Sequence, residues 1–202
     1  MVNLIFCKRL AISGVVMFFF SISTFASMSI PYGWYVEGNL GSTRQIQDNY
    51  PVDSNSSSSG LGGSIAAGYK FMPYFGMELG YTRYANTTID DQNSTKAGSN
   101  RQYSYGLAGK GIIPVGTSGF ELFGKFGVQR IYSSISITNA TVASNIGLNS
   151  GQHSATGYYL GAGGEYYFSP EFAVVGQWAR ANGNKAAGTM DLYSVGASYL
   201  FG

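Results

Sequence analysis

Few side chains in this sequence are disposed for covalent chemistry. Its single histidine, His153, stands directly beside Ser154. A base and a nucleophile must share a face to cooperate, and adjacent residues of a strand point to opposite faces. The pair therefore reads as loop polarity, and the many other Ser and Tyr hydroxyls have no positioned base to activate them. Asp90 and Asp91, followed by Gln92 and Asn93, offer the oxygen ligands that calcium takes, but a solvated turn uses the same residues. The sole cysteine, Cys7, supports neither a disulfide framework nor a cysteine metal site. The expectation is no catalytic residue, no metal and no cofactor, hence no enzyme.

The remaining chemistry is electrostatic. Glu37, Lys70, Glu78, Lys110, Glu121, Lys125 and Glu165 recur on the polar face of stretches that alternate apolar and polar. Neighbouring stretches alternate in sign. Glu37, Glu78 and Glu165 each lie three residues from an aromatic at one end, and Lys110 three from Ile113 at the same end, roughly 7 Å at about 3.3 Å per residue and about 45° of tilt. Charges gathered at one depth in an enclosed space are costly unless they neutralise one another, so a mutually paired cluster is expected. Such a cluster can act as a packed ionic plug or line a narrow gated pathway for ions. Both remain open on the sequence alone.

The elements that must hold these charges are strands. Splitting each stretch by parity separates Trp34, Val36 and Leu40 from Glu37 and Asn39, and Met77, Leu79 and Tyr81 from Glu78 and Thr82. The same split works near Leu61–Phe71, Tyr103–Ile113, Phe120–Tyr132, Gly157–Phe168, Phe172–Arg180 and Asp191–Phe201. About eight segments of about ten residues match the spans of a transmembrane barrel. Aromatics gather at the ends: Trp34, Phe71, Phe75, Phe120, Phe168, Phe172 and Phe201 at one, and Tyr81, Tyr103, Tyr132, Tyr158, Trp178 and Tyr193 at the other. Connections alternate between short (Met72-Pro73-Tyr74, Pro114 to Gly119, Ser169-Pro170-Glu171) and long (roughly Thr43–Gly60, Ala85–Gln102, Ser133–Thr156, Ala181–Thr189). That asymmetry predicts short periplasmic turns and four long outer loops. A soluble sandwich or lipocalin-like barrel shares the alternation but turns its apolar face inward. The Gly, Ala and Ser on the polar face, which suit a narrow lumen, favour the membrane.

Composition agrees. Charged residues make up 11% of the 202-residue chain against 45% hydrophobic and 15% aromatic. Soluble domains carry about 25% charge, and helical membrane proteins show long unbroken apolar runs. The one such run, Leu10 to Ile22 after Lys8 and Arg9, is short and ends in Thr24-Phe25-Ala26, so residues 1–26 read as a signal peptide and 27–202 as the barrel. Cleavage would remove Cys7, Lys8 and Arg9, leaving ten of the 12 Lys and Arg against 10 Asp and Glu. No electrostatic case for nucleic acid remains.

Gly33-Trp34-Tyr35-Val36-Glu37-Gly38-Asn39-Leu40-Gly41, Met77-Glu78-Leu79-Gly80-Tyr81, Leu122-Phe123-Gly124-Lys125-Phe126-Gly127 and the closing Leu192–Phe201 together resemble the small outer-membrane β-barrel family. That family includes the transmembrane domain of outer-membrane protein A and the opacity-type adhesins. The resemblance implies an all-β, eight-stranded antiparallel transmembrane up-and-down barrel in a bacterial outer membrane. It implies outer-membrane lipids and lipopolysaccharide as surroundings, and host or extracellular ligands met through the loops. Tyr199 and Phe201 resemble the family's assembly signal for the barrel-insertion machinery, here followed by Gly202. Some barrels of this size modify lipid A with a His and a Ser two residues apart; His153 and Ser154 are adjacent, which argues against that role. The family's repertoire runs from envelope integrity and adhesion to limited permeation, and a fold alone does not select among these.

Overall fold

The computed structural model describes residues 30–47, 55–57, 59–90, 95–147, 149–183 and 187–201. The signal peptide assigned to residues 1–26, Asp91 and Gly202 lie outside them. The strands are β1 (Gly33–Gln47), β2 (Asn55–Ser57), β3 (Ser59–Met72), β4 (Phe75–Arg83), β5 (Thr87–Asp90), β6 (Lys96–Val115), β7 (Phe120–Ile137), β8 (Gly151–Tyr167), β9 (Phe172–Asn182) and β10 (Thr189–Phe201), with one short helix, α1 (Ala140–Asn145). Eight of them close a ring, β1-β3-β4-β6-β7-β8-β9-β10 and back to β1, while β2 and β5 continue the sheet outward beside β6. Every pairing is antiparallel, and the seam runs from Trp34 opposite Phe201 to Gln47 opposite Thr189. Closure leaves no edge within the ring, as a sheet surrounded by lipid requires.

The faces settle which side is which. Leu61, Leu40 and Phe126 are 77%, 69% and 68% exposed, while the seven charged positions are at most 5% exposed. A soluble sheet would invert this arrangement, because isolated buried charge is costly and a continuous exposed apolar band has no place in water. The outward residues form the lipid-facing belt and the inward ones fill the lumen. Between β6 and β7 the chain turns through Gly116 and Gly119, at φ 62° and 74°, a backbone region that side chains with a Cβ enter at a cost.

The strands overrun the boundaries expected from the sequence, most of all at the long-loop end; at the short-turn end β3 adds Met72 and β6 adds Pro114 and Val115. The ladder between β6 and β7 continues from Tyr103 opposite Tyr132 out to Gly98 opposite Ile137. That part of the chain is Ser-, Asn- and Gln-rich on both faces, so apolar alternation is lost there although the backbone hydrogen bonds persist. The extension carries its own small core: Ile89, Ala97 and Ala143 are buried, with Ile135, Ile137, Val142 and Ile146 packed against them. Asn139 caps α1 by accepting from Thr141 N and Val142 N. The stretches expected as loops at Ala85–Gln102 and Ser133–Thr156 are therefore partly an ordered ridge standing above the barrel.

Candidate functional site

All seven charged residues point into the lumen and meet there. Lys70 Nζ donates to both Glu121 carboxylate oxygens at 2.9 Å. Lys125 Nζ reaches Glu37 Oε1 at 3.1 Å and Glu78 Oε1 at 3.0 Å. Lys110 Nζ lies 3.0 Å from Glu165 and 3.8 Å from Glu37 Oε2. Two neutral groups complete the network: Tyr35 Oη donates to Glu78 Oε2 at 3.0 Å, and Asn39 Nδ2 to Glu37 Oε1 at 2.8 Å. In so dry a setting these contacts are far stronger than at a surface, and any missing partner is correspondingly expensive.

The register corrects one part of the sequence reading. Signs alternate over Glu37, Lys70, Glu78 and Lys110, but β7 carries both Glu121 and Lys125, and residues directly opposite are alike: Lys110 faces Lys125 and Glu121 faces Glu165. Like charges in that position repel. Neutralisation instead runs between strands that do not touch: β3 to β7 (Lys70–Glu121), β6 to β8 (Lys110–Glu165), and β7 to β1 and β4 (Lys125 to Glu37 and Glu78). The network therefore ties opposite walls together. It is also not neutral by count, since four glutamates meet three lysines.

Sequence reasoning missed the inward aromatics that wrap these lysines. Lys110 Nζ sits 4.5 Å from the Phe123 ring centroid and 5.1 Å from that of Tyr35, Lys125 5.0 Å from Phe123, and Lys70 5.6 Å from Tyr167. Their strand parity, equal to that of the charges beside them, was the available signal. Ring faces at these distances attract ammonium groups.

A second layer of side chains lies nearer the outer rim. Tyr84, Ile131, Ala181, Ala187 and Met190 form a buried apolar cluster inside the upper barrel. Gln102 Nε2 donates to Ala187 O at 3.2 Å, and Tyr84 Oη shares a hydrogen bond with Ser104 Oγ at 3.3 Å. Between the two layers, beside Glu78, Lys125, Gln129 and Gln177, remains a cavity of about 20 Å³, on the scale of one water molecule.

The rim aromatics form connected rows. At the short-turn end, Trp34 contacts Tyr69, which contacts Phe71, which stacks with Phe75; Phe168, Phe172, Tyr199 and Phe201 continue in the same way. Phe120 is exposed at this end as well. At the long-loop end Tyr81, Tyr103, Tyr105 and Tyr132 pack together, and Tyr158, Trp178 and Tyr193 lie on neighbouring strands. Of the chemical candidates, Ser154 Oγ accepts from Arg130 Nη2 at 3.0 Å, and His153 lies on the opposite parity of β8.

The model of the outer membrane protein beta-barrel domain matches residues 13–201. No curated protein matches the chain. Among solved structures, OprG from Pseudomonas aeruginosa is 14% identical with a TM-score of 0.63, covering 87% of this chain and 98% of its own. Neisserial surface protein A is 16% identical at TM-score 0.58, covering 84% and 97%. Ail, the attachment invasion locus protein of Yersinia pestis, in complex with the heparin analogue sucrose octasulfate, is 18% identical at TM-score 0.51, covering 84% and 99%. These likenesses establish the fold.

Proposed function

The chain belongs to the outer membrane protein beta-barrel domain family, and from that premise we propose that it is a sealed outer-membrane barrel that works through its outer surface, as an adhesin-like interaction protein. The observation that carries the reading is the doubly filled lumen: a cross-lumen ionic layer toward the periplasm and an apolar layer of Tyr84, Ile131 and Met190 above it. With both levels occupied, the interior is a structural plug. An eight-stranded barrel has just enough room for side chains to fill it. What is left to meet the environment is the ridge built from β2, β5, α1 and the outer ends of β6 to β8. Neisserial surface protein A and Ail show that this fold also serves proteins named for the cell surface and for attachment. The reading includes no catalysis, and it assigns Tyr199 and Phe201 to recognition by the barrel-insertion machinery.

Two assays test it. A variant whose residues 139–147 are replaced by a short Gly-Ser linker should keep its heat-dependent shift in gel mobility and lose binding to host-cell or matrix surfaces. Unchanged binding sinks the adhesion reading. In planar bilayers the wild-type barrel should be silent. Discrete conductance that changes in Lys110→Ala or Glu78→Ala would replace the plug with the narrow gated pathway.

A further inference from the structure

Among the described residues the lumen layer is one positive charge short. Glu37, Glu78, Glu121 and Glu165 meet only Lys70, Lys110 and Lys125, and all seven are at most 5% exposed. The two strands that bring no charge to this depth offer Ala173 and Val175 on β9 and Ser198 and Leu200 on β10. The remaining titratable groups that face the layer are phenols: Tyr35 on β1, and Tyr159 and Tyr167 on β8. An uncompensated charge in so dry a space is strongly disfavoured. A fourth cation therefore belongs to the layer.

The four carboxylates are unequally supported. Both oxygens of Glu121 accept from Lys70 at 2.9 Å. Glu37 accepts from Lys125 and Asn39, and Glu78 pairs with Lys125 and accepts from Tyr35. Glu165 accepts from Lys110 alone, through Oε2 at 3.0 Å, and Glu37 shares that ammonium. Glu165 Oε1 lies as close to Lys110 Nζ, yet it is buried without a hydrogen-bond partner. Its neighbours in register are Glu121 on β7, a like charge, and Val175 on β9, apolar and fully buried. Side chains opposite one another on antiparallel strands stand about 4.5–5.5 Å apart at Cβ, so the two carboxyl groups share one space.

We propose that the fourth cation is a proton, held on Glu165 Oε1 against the carboxylate of Glu121. Two carboxylates forced together do not both ionise, and the pair then binds its proton as a unit. As an acid, Glu165 still accepts from Lys110 through Oε2, while Oε1 becomes a donor. Protonating Glu37 or Glu78 would weaken the bridge through Lys125, and protonating Glu121 would spoil a grip on both oxygens. A metal ion is less suited, because the Lys110 ammonium already occupies the position 3.0 Å from both Glu165 oxygens. The layer is then balanced: three carboxylates, three ammoniums and one neutral acid. The proposal rests on the filled lumen argued above but concerns its charge state, which that reading leaves open.

Folding then takes up one proton. Above about pH 5, past the range in which an unfolded carboxyl titrates, the folded-to-unfolded ratio should fall about tenfold per pH unit until the folded layer releases it. The test is urea unfolding in lipid vesicles at pH 5 and 7, with infrared spectra of the folded barrel at pH 7. Glu165→Gln mimics the neutral acid and binds no proton there. Relative to wild type, the variant should gain about a hundredfold in folded-to-unfolded ratio between the two pH values. The wild type should show the carbonyl stretch of a protonated carboxyl at pH 7, and the variant should lack it. If Glu165→Gln does not fold, Glu121→Gln takes its place: with the opposing carboxylate gone Glu165 ionises, and the stretch disappears. A gain below about tenfold, no such stretch in the wild type, or its persistence in the folded variant overturns the proposal. Stabilisation by added sodium chloride without the stretch would mark a metal ion and overturns it as well. Silent bilayers in that case would keep the plug and remove only the proton.

Discussion

Lys125 is the residue on which the ionic layer turns. It bridges Glu37 and Glu78 at 3.1 and 3.0 Å, and both carboxylates are almost fully enclosed. Lys125→Met keeps a similar volume and removes the ammonium. Glu78 then keeps only the Tyr35 hydroxyl, and Glu37 keeps Asn39 and the longer 3.8 Å contact to Lys110. The excess of carboxylates over ammoniums rises from one to two. Breaking a buried pair by removing one partner costs about 3–5 kcal/mol, so the folded-to-unfolded ratio should fall by roughly two to four decades. The assay is urea unfolding in lipid vesicles, read by the fraction that keeps folded mobility on an unboiled gel. Adding Glu78→Gln should return part of the loss, as coupled neighbours show interaction energies of about 0.5–3 kcal/mol. A cost below about 1 kcal/mol for Lys125→Met, the size of an exposed pair, would mean that the layer is solvated, and the argument for a plug would fail with it.

Three further outcomes follow from the same packing. Ile131 is fully buried in the upper apolar layer; Ile131→Ala should cost about 2–5 kcal/mol in the same unfolding assay while leaving bilayers silent, because the ionic layer below remains. Lys70→Met should be additive with Lys125→Met to within about 0.5 kcal/mol, since Lys70 pairs with Glu121 and Lys125 with Glu37 and Glu78. A Cβ at Gly41 would run into the Tyr193 carbonyl and Ser194 Cα of the closing strand. Gly41→Ala should therefore displace the β1–β10 seam and cost about 1–3 kcal/mol, seen as a lower temperature for losing folded gel mobility.

What the sequence disclosed depended on which signal each part left in the chain. Parity is set by the backbone, so the faces of all eight ring strands were legible, and with them the inward set from Glu37 to Glu165. Depth was legible too, because Glu37, Glu78 and Glu165 could each be counted from a rim aromatic, and Lys110 from Ile113 at the same end. Pairing was not. Which lysine meets which glutamate depends on strand tilt and register, and these bring Lys110 opposite Lys125 while sending its ion pair two strands on to Glu165. The outer ends of β6 and β7 were also hidden, since polar residues on both sides of a strand erase the alternation while the hydrogen-bond ladder continues. Asn100 and Ser133 show why that ladder holds: Ser133 Oγ donates to Asn100 Oδ1 at 2.8 Å inside the extension, a polar contact that no hydropathy pattern announces.

The division of cations by type carries the functional argument further than the fold does. Inside, an ammonium on a flexible stem can reach across the lumen, sit over a ring such as Phe123, and meet two carboxylates from different walls, as Lys125 does. A planar guanidinium would need a matching planar acceptor at each of those sites. Outside, the demand is reversed, and Arg180 forking onto Asp191 shows the geometry the rim favours. Arg83, Arg101 and Arg130 form no ion pair among the described residues, and Arg130 donates instead to Ser154 Oγ at 3.0 Å. Under the proposed reading, a barrel filled by side chains at two levels meets its surroundings through its outer wall and the ridge above.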